Sequence, residues 1–280
     1  MKTAHKISAA RAIYRLVHAG RALLGRTDRE IVVRDGVRYD LDLSQGIDLA
    51  IYLGGMFERS TAFALRKLVK PSSLVLDVGA NIGAHTLRLA NLVGPDGRVL
   101  AFEPTDFAFR KLQRNLSLNP MLASRVQAYH SFLTDTDTAS VPDKIYSSWP
   151  LTGGSELHGK HLGSEMRTES AVARSLDSIL GERADCNVQL VKLDVDGFEC
   201  DVLRGATTML REARPIFIME LAPYVLDERG TSLDELLSFF LPNGYAFFSE
   251  RTERLLPSNA KELRRLVEDG SSLNVIARVA

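Results

Sequence analysis

The chain has 280 residues, with 35 lysines and arginines against 35 aspartates and glutamates, 45% apolar residues, 25% charged residues and two cysteines. This excludes a disordered chain, which would be poorer in apolar residues and far from neutral, and a disulfide scaffold, which two cysteines cannot staple at this length. The zero net charge argues against a whole-protein nucleic-acid binder, and the length suits one large domain or one domain with an extension.

In chain order, residues 1–26 carry Lys2, Lys6, Arg11, Arg15, Arg21 and Arg26 and no acidic residue. Ile7, Tyr14, Val17 and Leu24 recur at a spacing that can share one helix face. The favoured expectation is a helix docked on its own domain with a solvated basic face. The competing expectations are a helix on an anionic membrane or a partner, or an organellar transit peptide. No apolar core precedes a small-residue cleavage site, so the sequence predicts a cytoplasmic protein without a secretory signal. Next, Asp35-Gly36 predicts a turn inside a hairpin over Ile31–Leu43. Val37, Tyr39, Leu41 and Leu43 alternate with Arg38, Asp40 and Asp42 as in a half-buried strand. A short helix over Ile47–Leu53 is broken by Gly54-Gly55, and a second is expected from Ser60, as its cap, to Val69 before Pro71.

From Leu74 the pattern changes. Apolar runs at Leu74–Val78, Arg98–Phe102, Val126–Leu133, Val188–Leu193 and Ile216–Leu221 alternate with helical segments at Thr86–Leu92, Ala108–Leu118 and Asp234–Leu241. Strand–helix alternation of this kind predicts a parallel sheet covered on both faces. Tyr245–Phe248 and Leu273–Val279 are expected to form an antiparallel edge. The polar stretch from Thr134 to Arg174 is long enough to be a functional or mobile loop. The longest apolar cluster, Pro215–Met219, stops at Glu220 and is far short of a membrane span. Cys186 and Cys200 read as small, reduced core residues.

Three stretches carry chemistry. The run Asp77-Val78-Gly79-Ala80-Asn81-Ile82-Gly83 ends a buried strand in a carboxylate and glycines and then starts a helix. Nucleotide-like ligands bind at such a turn, where glycine lets the backbone approach. A dinucleotide site needs a second glycine where Asn81 stands, and Asp77 suits a cationic ligand better than a pyrophosphate. S-adenosylmethionine has a sulfonium and an ammonium group and no phosphate. Second, Phe102-Glu103-Pro104 ends the next strand, and Glu103 can accept bonds from ribose hydroxyls. Third, in Lys192-Leu193-Asp194-Val195-Asp196-Gly197-Phe198-Glu199, alternation sends Lys192, Asp194 and Asp196 to one side. These are candidates for acceptor activation, Asp194 first and Asp196 second, or else a lysine–aspartate pair that caps a strand. Paired carboxylates can also hold a divalent cation.

These stretches, in this order, resemble the FkbM family of S-adenosylmethionine-dependent methyltransferases, from about Asp40 to the C-terminus. Gly55-Met56-Phe57-Glu58, Leu176-Asp177-Ser178-Ile179 and Leu203-Arg204-Gly205-Ala206 add to the likeness. The resemblance implies a Rossmann-like class I methyltransferase fold: a mostly parallel seven-stranded sheet, its last strand antiparallel, with helices on both faces. An N-terminal helix and hairpin extension (1–55) would precede a methyltransferase domain (56–280). Carried over, Asp77 and Gly79 lie along the methionine part of the cofactor, Asn81 and Gly83 shape the turn, and Glu103 with Pro104 holds the ribose. Phe132 and Leu133 border the adenine, Asp135 bonds its amino group, and Glu58 lies near the cofactor. The family usually has Glu where this chain has Asp196, which leaves a metal role open. The reaction implied is methyl transfer to a hydroxyl oxygen of a sugar, glycan or other natural product. An NAD-dependent oxidoreductase and a non-catalytic binding protein are the alternatives. His85 reads as a capping or packing residue and His130 as core. His158 and His161, in the long loop, could reach a substrate. The loop Trp149-Pro150-Leu151-Thr152-Gly153-Gly154-Ser155 is the candidate for acceptor recognition, Trp149 either stacking on the acceptor or anchoring the loop.

Overall fold

The computed structural model describes residues 3–147, 149–152, 157–159, 162–183 and 187–279. Its first half contains α1 (Thr3–Leu23), β1 (Arg29–Arg34), β2 (Val37–Asp42), α2 (Gly46–Gly54), α3 (Arg59–Leu68), β3 (Leu74–Val78), α4 (Thr86–Val93), β4 (Arg98–Phe102), α5 (Asp106–Ser117), α6 (Pro120–Ala123), β5 (Val126–Tyr129) and β6 (Ser131–Leu133). Then follow β7 (Lys144–Tyr146), β8 (Glu165–Arg167), β9 (Val172–Arg174), α7 (Leu176–Gly181), β10 (Val188–Leu193), α8 (Glu199–Arg204), α9 (Thr207–Glu212), β11 (Ile216–Leu221), α10 (Pro223–Glu228), α11 (Leu233–Phe240), β12 (Tyr245–Ser249), α12 (Ala260–Arg265) and β13 (Leu273–Val279).

Seven strands form one sheet in the order β12-β13-β11-β10-β3-β4-β5. All the pairings from β11 to β5 are parallel, and β13 runs antiparallel to both of its neighbours. The apolar runs are continuous because both faces are covered. In β3, Leu74, Leu76 and Val78 face a core shared with β10, α8 and α11, while Val75 faces a second core with Leu65 and Leu89. The strand order reverses beside β3, which has β4 on one side and β10 on the other. A crevice opens at the carboxyl ends of the strands at such a reversal.

The first 55 residues share a core with the sheet layer rather than owning one. Tyr14, Val32, Tyr39, Leu41 and Ile47 pack with Ala80, Ile82, Leu87 and Leu112. Two buried amides seat the edge of β2. Asn115 Oδ1 accepts from the Asp40 amide at 2.8 Å and its Nδ2 donates to Ile82 O at 2.8 Å. Asn119 receives the Arg38 amide at 2.9 Å and donates to the Arg38 carbonyl at 2.7 Å.

Several sequence expectations change. Helix α1 ends at Leu23, so Leu24 leaves the face of Ile7 and Tyr14 and is exposed. The cap of α3 is Glu58, at φ +42°, rather than Ser60. The single strand expected over Val126–Leu133 is two: β5 stays in the main sheet, and after His130 the chain turns away so that β6 pairs with β9. His130 sits at that break, not in a strand, stacked on Phe109 at 4.4 Å between ring centres. Cys200 is fully buried in the core of α8. Cys186, His161 and Gly153-Gly154-Ser155 lie outside the described residues. No described helix is long and apolar enough to cross a membrane.

Candidate active site

Two adjoining cavities occupy the crevice at the strand ends. The first, of about 800 Å³, is bounded by Gly79, Asn81, Glu103, Phe132, Asp194 and Phe198, among others. The second, of about 1140 Å³, is bounded by Lys6 and Ile7 of α1, Glu58, Glu199, Glu220 and Tyr224, among others. Phe57, Trp149, Asp194 and Asp196 line both. These four residues therefore form the shared wall.

The glycine turn after β3 sets the floor of the first cavity. Gly79 has φ +80°, and a Cβ there would lie 1.9 Å from the Asp194 carbonyl oxygen. The turns after β3 and β10 thus touch through bare backbone. Asn81 takes φ +48°, and its amide donates to Glu103 Oε2 at 2.9 Å. Glu103 Oε1 accepts the Thr105 amide at 2.8 Å. Burial raises the Glu103 pKa, and these bonds from Thr105 and Asn81 oppose the rise. Gly83 lies outside both cavities; a Cβ on it would meet Leu112 at 2.8 Å, so it serves close packing of α4 and α5.

Asp77 is fully buried beneath the floor. Its Oδ2 accepts from Thr86 Oγ1 at 2.6 Å, while Oδ1 has no hydrogen-bond partner and lies 3.8 Å from Lys192 Nζ. Lys192 donates to Gly79 O at 3.1 Å and pairs with Asp194 Oδ2 at 3.1 Å. Burial would lower the Lys192 pKa, but Asp194, Asp77 and Glu58 outweigh it and hold the ammonium charged. Asp194 is therefore tied to a permanent cation. Asp196 is different: β10 has ended, its backbone stands at φ +51°, and its carboxylate has no hydrogen-bond partner among the described residues. Burial, then the charges of Asp194 and Glu199, push its pKa well above the ordinary value.

The other expected residues scatter. Pro104, Phe132 and Leu133 line the first cavity. Phe132 meets Phe198 edge-on at 5.0 Å, and Phe198 carries the Arg229 guanidinium 4.1 Å above its ring. Asp135 is exposed, lines neither cavity and bonds to Thr134, because the chain turns outward after β6. Glu58 lies in the second cavity, 3.5 Å from His85 Nε2. His85 lines the first cavity and makes no side-chain cap to α4; neither ring nitrogen has a hydrogen-bond partner. His158 lies apart, 3.0 Å from Glu228. Trp149 anchors its loop, half-buried against the core that includes α2. Its carbonyl accepts the Gly46 amide at 2.9 Å, pinning the loop to α2, while its side of the loop faces both cavities. Sequence reasoning missed Lys6, Ile7, Glu220 and Tyr224, which no local motif marks. Phe198 could have been found from its place directly after the Asp196-Gly197 turn.

Glu199 closes this acidic turn, accepting from the Gly197 amide at 3.3 Å and the Val195 amide at 3.4 Å. Burial pushes its pKa from 4.5 up to about 7. The folded protein then holds this proton more tightly than the unfolded chain does. The stabilisation is complete below about pH 4.5 and is lost as pH rises through about 7. Glu199→Gln should therefore be more stable than the wild type at pH 8, by up to about 3 kcal/mol, and indistinguishable from it near pH 4. Thermal melts at the two pH values check this; an equal effect at both would overturn it.

A glycine turn, an acidic strand end and an apolar slot thus meet beside a carboxylate-rich second cavity. A family model described as "Methyltransferase FkbM domain" matches residues 77–247. The chain is a member of the FkbM methyltransferase family. It resembles "Methyltransferase 1" of Beauveria bassiana, 34% identical over 150 residues, covering 48% of this chain and 58% of that protein. It resembles "Methyltransferase sdnD" of Sordaria araneosa, 28% identical over 212 residues, covering 64% of this chain and 81% of that protein. It also resembles "2-O-methyltransferase NoeI" of Sinorhizobium fredii, 26% identical over 160 residues, covering 54% and 64% respectively. The FkbM chain uses S-adenosylmethionine, and the nicotinamide alternative falls away. The first cavity fits that cofactor: it offers an apolar slot and a bare glycine turn above a buried carboxylate oxygen without a partner. Among the described residues, no group of three or more His, Cys, Asp or Glu side chains is arranged to hold a metal ion.

Proposed function

We propose that this FkbM methyltransferase methylates a hydroxyl oxygen of a sugar, glycan or other natural product, held in the second cavity. The observation that carries the reading is the wall of Phe57, Trp149, Asp194 and Asp196 shared by the two cavities. A donor in one and an acceptor in the other would meet there. The name of the Sinorhizobium relative, a 2-O-methyltransferase, supports oxygen as the acceptor atom. S-adenosylmethionine supplies, when bound, an electrophilic methyl group on a sulfonium centre.

The protein's own work is orientation and proton removal. Glu103 and Pro104 would hold the ribose, Phe132 and Leu133 would border the adenine, and Gly79 and Asn81 would shape the bed of the methionine part. Asp77 and Lys192 act from below: the ammonium fixes Asp194, and the Asp77 carboxylate adds negative potential under a cationic ligand. Asp196 is the proton acceptor in this reading. Its pKa, raised by burial, lies nearer that of a useful base, and no neighbour occupies its carboxylate. Asp194 positions the acceptor hydroxyl, and Trp149 gives it a flat apolar wall. Aligning the two reacting atoms supplies much of the acceleration.

The test is methyl-labelled S-adenosylmethionine incubated with panels of sugars, glycans and hydroxylated small molecules, the product bond being assigned by NMR. A labelled O-methyl ether is expected. A label found only on nitrogen, carbon or sulfur would overturn the reading.

A further inference from the structure

Helix α1 has two apolar faces, and only one has a partner inside the protein. The inner face, with Ile7 and Tyr14 buried, packs on the hairpin and lines the second cavity. The outer face carries Ile13, 45% exposed, Leu16, 76%, and Leu23, 90%. At 100° per residue, Ala9, Ile13, Leu16, Gly20 and Leu23 fall within a sector of about 80°. Leu24, 74% exposed, extends the stripe past the helix end.

The charges around this stripe are of one sign. Arg21 is buried and paired with Glu30 at 2.7 Å, and His18 is paired with Asp28 at 2.9 Å, so those groups are spent within the protein. Lys6, Arg15 and Arg26 are exposed and form no ion pair among the described residues. Arg15 flanks the stripe on one side and Arg26 stands just past its end, while Lys6 lies on the other side, between the stripe and the second cavity. A solvated helix face would carry both signs and few large aliphatics. A contact with a second copy of this chain would set these cations against each other. An anionic bilayer satisfies both features: aliphatic side chains enter the acyl boundary while flanking cations reach the headgroups.

We infer that the outer face of α1 docks on an anionic membrane surface. The helix would lie in the plane of the interface. Its inner face, through Lys6, Ile7 and Ala10, borders the second cavity. Docking therefore holds that cavity about one helix diameter, roughly 10 Å, from the headgroups.

The test is flotation of the full chain with vesicles of phosphatidylcholine alone and of phosphatidylcholine mixed with phosphatidylglycerol, at low and high salt. Binding is expected to be at least about tenfold greater on the anionic vesicles and to fall with salt. The double variant Leu16→Glu with Leu23→Glu should lose at least about tenfold of that binding while its melting temperature is unchanged. Arg15→Ala with Arg26→Ala should lose binding without touching the aliphatic stripe. Absence of binding to anionic vesicles at low salt would overturn the inference, as would wild-type binding by both double variants. Light scattering supplies one more outcome. A wild-type dimer that Leu16→Glu with Leu23→Glu splits, together with no vesicle capture, would make the stripe a contact between copies and refute membrane docking.

Discussion

Gly79→Ala should abolish methyl transfer and weaken S-adenosylhomocysteine binding by at least about 100-fold, while destabilising the fold by more than about 2 kcal/mol. Two penalties coincide at this position. The backbone stands at φ +80°, where a side chain is strained, and the new Cβ would lie 1.9 Å from the carbonyl oxygen of Asp194. That neighbour is main chain, so no rotamer change relieves the clash. Either the glycine turn or the turn after β10 must move, and each borders the cofactor cavity. Gly94→Ala separates the two penalties. Gly94 has φ +74° and ψ −173°, and a Cβ added there would have nothing within 4 Å, so it should lose only the strain, about 1–3 kcal/mol, and keep cofactor affinity. Calorimetric titration and chemical denaturation measure both. Equal losses in the two variants would show that strain, not the contact with Asp194, governs the site.

Asp196→Asn should cut turnover by about 100-fold to 10,000-fold and leave cofactor affinity within a few-fold of the wild type. The amide keeps the shape of the carboxylate and loses the capacity to take a proton. Wild-type turnover should rise with pH through the raised pKa of Asp196, because only the ionised form accepts the acceptor's proton. The variant's residual rate should lack that rise. Asp194→Asn should behave differently. It removes the 3.1 Å partner of Lys192, a buried ammonium, and leaves it with Asp77 at 3.8 Å. Breaking one side of a buried pair costs about 3–5 kcal/mol, so stability and rate should fall together. If Asp196→Asn turns over as the wild type does, Asp196 is not the base. If Asp194→Asn alone loses the pH-dependent rise without losing stability, the roles are reversed.

The parallel sheet could be read from Leu74–Val78, Arg98–Phe102, Val188–Leu193 and Ile216–Leu221, because strands covered on both faces leave continuous apolar runs. The glycine turn was equally plain, although the backbone that approaches Gly79 in the structure is that of Asp194. The break at His130 was invisible: Val126–Tyr129 and Ser131–Leu133 both read as strand, with no glycine or proline between them, and only their different partners, β4 and β9, divide them. The different fates of Asp194 and Asp196 were hidden too. Strand alternation put them on one side, but the strand ends at Leu193, and the left-handed backbone of Asp196 frees it from Lys192. The second cavity was illegible for another reason. Its wall comes from α1, the 57–58 step, the 149–151 loop and the ends of β10 and β11, which meet only through tertiary packing.

That wall has a consequence for how such a protein diversifies. Lys6, Ile7 and Ala10 reach the second cavity from α1, which supplies no strand to the seven-stranded sheet and no residue to the lining of the first cavity. Exchanges at these three positions can alter what fits beside the shared wall while the donor site keeps its geometry. Selection, or a library restricted to these three codons, can thus explore new acceptors without first risking the chemistry that would make any of them reactive.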